Sequence, residues 1–105
     1  MVRARNEAVI DAFAKTLKEA RKQRGMTQED LADQASLDRT FIGMLETGKR
    51  QPTLSVICAL AYALHETPSQ LLSKAVKVAE MTVPNQQLVH ELTAGDRRSK
   101  KSASD

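Results

Sequence analysis

The sequence predicts an all-α fold, a prediction that rests on three observations. Apolar residues make up 41% of the 105 positions but aromatics only 3%, so the core must be aliphatic. With four Gly and three Pro, the chain has neither the turn density of a β-sandwich nor the composition of a disordered segment. Its apolar residues recur at three- and four-residue steps, which places them along one face of a helix. The length suits one compact domain followed by a tail.

A first helix is expected from Glu7 to Arg24, where Ile10, Phe13, Leu17 and Ala20 form the stripe and most lysines and arginines fall outside it. Gly25 stops it. Thr27-Gln28-Glu29-Asp30 then reads as an N-cap with an acidic third helical position, opening a second helix that ends near Ala35. Ser36-Leu37 leads to Asp38, the cap of a third helix in which Phe41, Ile42 and Leu45 are apolar and Gly48 is placed to end it. Pro52-Thr53 opens a fourth helix whose stripe, Leu54, Ile57, Cys58, Ala61 and Leu64, is expected to be the most buried. Thr67-Pro68-Ser69-Gln70 combines a cap, Pro at the first helical position and Gln at the third, and launches a fifth helix through Leu71, Leu72 and Ala75. The five helices make a domain over residues 7–80. Residues 81–105 form a C-terminal extension, with Pro84 breaking the pattern, a short helix over 85–93 and a disordered basic tail.

Several function classes are disfavoured by the inventory. One Cys forms no intramolecular disulfide, and with two His it does not supply a structural zinc site. No apolar run reaches the roughly 20 residues of a membrane span, and Met1-Val2-Arg3-Ala4-Arg5 lacks the apolar core of a signal peptide. These readings favour a cytoplasmic, nucleoid-associated protein with no membrane partner. No Gly-rich phosphate loop, paired-carboxylate spacing or nucleophile motif appears, so an enzyme is not expected and no cofactor is implied. His65 follows the buried face of the fourth helix, His90 lies in the tail and Cys58 sits on an apolar stripe; each reads as structural or incidental.

The net charge of +3 permits nucleic-acid binding without announcing it. Its distribution is more telling: Lys15, Lys18, Arg21, Lys22 and Arg24 stand against Glu19 alone, while Glu29, Asp30 and Asp33 cluster on the next helix. The second and third helices, joined by a short turn, have the arrangement that lets one helix enter a DNA major groove while its predecessor crosses the backbone.

Four runs carry a family resemblance: Leu17-Lys18-Glu19-Ala20-Arg21, Gly25 to Ala32, Asp38-Arg39-Thr40-Phe41-Ile42-Gly43, and Leu45-Glu46-Thr47-Gly48-Lys49-Arg50-Gln51-Pro52. Over about residues 10–75 the chain resembles the Xre or Cro/cI (lambda-repressor-like) helix-turn-helix family. The Arg-Thr-aromatic-Ile-Gly run is most similar to the controller proteins of restriction-modification systems. The resemblance implies a dimeric, sequence-specific double-stranded-DNA-binding transcriptional regulator, either repressor or activator, with RNA polymerase as a further partner.

In this reading Arg39, Thr40, Gly43 and Met44 face the bases. A guanidinium donates two hydrogen bonds to the O6 and N7 of guanine, worth about 1 to 3 kcal/mol of discrimination. Met44 offers only apolar contact, where many family members carry a polar or basic side chain. Thr27, Gln28, Phe41, Thr47, Lys49 and Arg50 are assigned to the phosphate backbone, at the start of the second helix and the end of the third. Phe41 has two readings, covering a deoxyribose or packing on its neighbours. Gly43 costs about 1 kcal/mol in a helix, justified either by close approach to DNA or by crowding against another helix. Ser36 stands where the family usually has Gly, at a turn that often needs positive φ. The resemblance also implies a salt bridge between Arg21 and Glu46 that orients the recognition helix.

Leu71, Leu72, Val76 and Val78 exceed what one stripe of the fifth helix needs, and with Leu88, Val89 and Leu92 they are assigned to a homodimer interface. The competing reading is a protein-interaction module of the same fold, antitoxin or coactivator-like, acting through a protein partner.

Overall fold

Local sequence sets each helix boundary in the computed structural model, which describes residues 5–83. Five helices follow in order: α1 (Glu7–Gln23), α2 (Gln28–Ala35), α3 (Arg39–Glu46), α4 (Leu54–Ala63) and α5 (Pro68–Thr82). No strand occurs among the described residues. The expected element order is observed, and α5 continues past the expected boundary at residue 80. The expected helix over 85–93, and Leu88, Val89, His90 and Leu92 with it, lie outside the described residues.

The starts are side-chain caps. Asn6, Thr27, Thr53 and Thr67 each accept the backbone N–H three residues on, and Thr27 with Asp30 and Thr67 with Gln70 complete reciprocal capping boxes. Asp38 departs from expectation. It occupies the N-cap position of α3, but its side chain makes no capping hydrogen bond. The ends share another device: α1 to α4 each close on a residue at positive φ, namely Gly25, Ser36, Gly48 and His65. The next residue's N–H then reaches back five positions, as Met26 does to Arg21, Leu37 to Ala32, Lys49 to Met44 and Glu66 to Ala61. Ser36 at φ 56° thus confirms the positive φ expected at that turn.

Leu17, Leu31, Ile42, Leu45, Leu60, Leu64 and Leu71 are fully buried, so every helix or its cap contributes to one aliphatic core. Burying each such side chain stabilises by about 1.5 to 3 kcal/mol. That tertiary contribution is what holds α2 and α3, since isolated eight-residue helices are marginal in water. α1 packs most extensively on α5 and also meets α3, while α2 bridges α3 and α4.

Three sequence expectations are corrected here. The buried face of α4 is Leu60, Ala61 and Ala63, with Leu64 at its cap; Leu54 is 73% exposed, and Ile57 and Cys58 are half-buried. Apolar residues surround α4 almost completely, so spacing alone does not select the inward face. His65 does not continue a buried face but stands exposed in the left-handed cap. Leu71, assigned to a dimer surface, is fully buried in the monomer core and offers nothing to a partner. Of the others on α5, Val76 is exposed and Leu72 and Val78 are half-buried.

Candidate nucleic-acid interface

The turn Ser36–Asp38 sets α2 and α3 against each other, and a chain of polar side chains fixes the outer face of α3. The chain begins in the interior. Arg21 on α1 meets Glu46 at the end of α3 through two parallel hydrogen bonds, Nε to Oε2 at 2.6 Å and Nη2 to Oε1 at 3.0 Å. Their side chains are 9% and 2% exposed. Burying a pair is costly unless the remaining polar atoms are also satisfied. Here Arg21 Nη1 also donates to the Met26 carbonyl at 2.7 Å, and Gln28 Nε2 donates to Glu46 Oε1 at 3.1 Å. The hydrogen bonding to Glu46 raises the Arg21 guanidinium above its ordinary range against the opposing desolvation, and the carboxylate charge adds to the rise.

Gln28 carries the chain outward. Its Oε1 accepts from Arg39 Nη1 at 3.1 Å, so one carboxamide joins buried Glu46 to exposed Arg39. The sequence reading assigned Gln28 to phosphate, whereas the structure engages both ends of its amide in positioning. No spacing rule on one helix reveals this link, because it runs from α3 through α2 and back to α3.

Arg39, Thr40, Gly43, Met44, Thr47 and Lys49 line one shallow depression of about 370 Å³ on the open side of α3. The four residues assigned to bases are therefore brought together, with two of those assigned to phosphate at the rim. Gly43 has no atom within 4 Å of where a Cβ would stand, so crowding within the chain does not explain it. The Thr47 hydroxyl donates to the Gly43 carbonyl at 3.0 Å. Arg50 is exposed beside Lys49 but does not line the depression. Thr27 sits at the α2 cap, where its backbone N–H donates to Asp30 Oδ2 at 2.8 Å; that bond first, then the Thr27 hydroxyl, holds the Asp30 carboxyl below the usual carboxylate range.

Phe41 is half-buried and packs against the core, and its ring has no donor to offer a phosphate. Packing on its neighbours, one of its two readings, is thus observed, with part of the ring left exposed. Among the described residues there is no cluster of three or more His, Cys, Asp or Glu suited to a metal ion, and no helix long and apolar enough to cross a membrane.

Residues 17–71, just over half of the chain, match the helix-turn-helix family. The chain belongs to this helix-turn-helix family. It is similar to the control protein C.SmaI of Serratia marcescens, 34% identical over 66 residues that cover 63% of this chain and 79% of that protein. Among solved structures it is similar to the restriction-modification controller protein C.AhdI from Aeromonas hydrophila, with 39% identity, a TM-score of 0.58 and coverage of 59% of this chain and 94% of that one. A further match is the controller protein C.Esp1396I, solved as a tetramer in complex with its natural 35 base-pair operator. That match has 28% identity and a TM-score of 0.63, covering 68% of this chain and 93% of that one. The resemblance read from Leu17 to Pro52 is thus confirmed, down to the controller proteins.

Proposed function

We propose that this protein is a sequence-specific, double-stranded-DNA-binding transcriptional regulator that acts as a homodimer at a two-fold-symmetric operator, with α3 in the major groove. One observation carries the reading: Arg39, Thr40, Gly43, Met44, Thr47 and Lys49 share a single exposed concavity on α3, backed by the Arg21–Glu46–Gln28 chain. Arg39 presents a guanidinium already oriented by Gln28, suited to the O6 and N7 of guanine. Met44 offers its methyl to a thymine methyl, and Thr40 reaches a neighbouring base edge or phosphate. Lys49 and Arg50 neutralise phosphates and set salt dependence rather than sequence preference. With its outer side open, Gly43 lets the helix backbone approach the groove floor.

A second copy is favoured by the apolar surface left on α4 and α5. Leu54 is 73%, Tyr62 65% and Val76 39% exposed, more large apolar surface than a monomer needs. These three residues replace Leu71 as the proposed interface, with Leu72 beside them. A two-fold dimer sets its recognition helices about 34 Å apart, one turn of the duplex. The operator-bound assembly of C.Esp1396I supports DNA as the ligand and self-association as the mode. Occupancy of such a site at a promoter would exclude or recruit RNA polymerase according to its position.

Selection of bound sequences from a random duplex library tests the reading. Enrichment of a two-fold-symmetric site is the expected result. A folded protein that enriches nothing would reverse it in favour of a protein-interaction module.

A further inference from the structure

Along α1, four depressions of about 420, 300, 280 and 220 Å³ lie at and beside the seam with α5, each sharing wall residues with the next. Arg21, which reaches α3, and Thr16, which lines this seam, lie about 140° apart around α1 at 100° per residue. From Ala8 to Arg24 the seam runs roughly 24 Å, the length of about seven extended residues. Its floor is Ala12, Ala20 and Val78, and its rims carry Lys15, Lys18, Lys22, Arg24, Lys74 and Lys77. Only Asp11, Glu19 and Glu66 oppose them, and the Glu66–Lys74 pair at 3.0 Å leaves Lys15, Lys18, Lys22, Arg24 and Lys77 against Asp11 and Glu19.

A second, independent feature marks the middle of the seam. Thr16 is 5% exposed, and its Oγ1 is a buried side-chain polar atom with no hydrogen-bond partner. A mid-helix Thr hydroxyl ordinarily bonds the carbonyl one turn back, and leaving it unpaired in the interior is unfavourable.

We propose that the α1–α5 groove docks an extended acidic peptide segment of a partner protein, with carboxylates on the lysine rims, apolar side chains on the Val78 floor and a backbone carbonyl accepting from Thr16 as the seam opens. Charge complementarity to the lysine rims selects an acidic occupant. In the chain's own C-terminal segment, Arg97, Arg98, Lys100 and Lys101 bring like charge to the rims, while residues 84–96, with Glu91 and Asp96, are the internal competitor that the test excludes. Because the groove shares no lining residue with the depression on α3, docking leaves that depression open, and a DNA-bound copy can recruit the partner.

The test is a titration of the full isotope-labelled chain, read by amide chemical shifts and by anisotropy of a labelled peptide of about ten residues. One peptide alternates Asp with Leu, and the control replaces Asp by Asn. The expected result is shifts confined to α1 and α5, with the Asp peptide bound about tenfold more tightly than the control. Lys18→Glu with Lys77→Glu should abolish that difference. Thr16→Val should weaken binding about threefold while leaving Tm unchanged or raised, since it removes an unpaired hydroxyl. Equal binding of the two peptides would overturn the proposal. So would contacts between residues 84–105 and α1 in the free chain, or displacement of the same α1 and α5 amides by duplex DNA.

Discussion

α3 and α4 are short neighbouring helices of opposite kind. α3 buries Ile42, Leu45 and Glu46 and opens its other side as a shallow depression that includes the polar Arg39 and Thr40. α4 buries Leu60, Ala61 and Ala63 yet exposes Leu54 and Tyr62. A helix with one apolar stripe is satisfied by the monomer, whereas one that is apolar nearly all round needs a second surface. In the proposed reading the two faces do separate work, one held in register by hydrogen bonds for DNA and the other left for association.

The strongest way to break the comparison is to remove the polar support of α3. Glu46→Ala leaves Arg21 buried without its carboxylate, and a loss of about 3 kcal/mol is expected from urea denaturation, with DNA affinity falling alongside. Glu46→Gln should show a smaller fall in both; unchanged Tm and affinity would mean the pair does not orient α3. On α4, Tyr62→Ser with Leu54→Ser should leave monomer stability within about 0.5 kcal/mol, as surface substitutions do. Sedimentation should nevertheless show dimer replaced by monomer at equal concentration. A dimer that survives both changes would place the interface elsewhere.

The helix ends sharpen the contrast further, because α3 closes on Gly48 and α4 on His65 at φ 76° and 59°. Gly48→Ala should cost about 1 to 2 kcal/mol, the left-handed penalty of an L side chain, and His65→Gly should return about 1 kcal/mol. At Gly48 the added Cβ would also meet Asp11 Oδ1 at 2.8 Å. The effect most informative in sign belongs to Gly43→Ala. A Cβ there meets open space, so helix propensity should stabilise the free protein by about 1 kcal/mol while operator affinity drops. A variant that gains stability and keeps its affinity would show that α3 does not approach DNA at Gly43.

Much of this was legible in the residues. Capping boxes at Thr27 and Thr67 and the stops at Gly25 and Gly48 announce their boundaries locally, because capping is a matter of three or four adjacent residues. The grouping of Arg39, Thr40, Gly43 and Met44 in one depression was legible too, since they follow helical spacing on the side opposite Ile42 and Leu45. The inward face of α4 was not, because Leu54 and Leu60 are chemically equivalent and only the packing of α2 and α5 decides between them. The link from Glu46 through Gln28 to Arg39 was hidden for a related reason, as side-chain hydrogen bonds between helices depend on their relative placement.

The central claim is that Arg39 reads a base from a position that the Arg21–Glu46–Gln28 chain maintains. Its direct test is a cycle of four dissociation constants at fixed salt, for wild type and Arg39→Ala, each on the selected site and on that site with its preferred guanine replaced. The wild type should lose about 1 to 3 kcal/mol on the base change and the variant almost nothing. Equal losses by both proteins would contradict the account and move base reading away from Arg39.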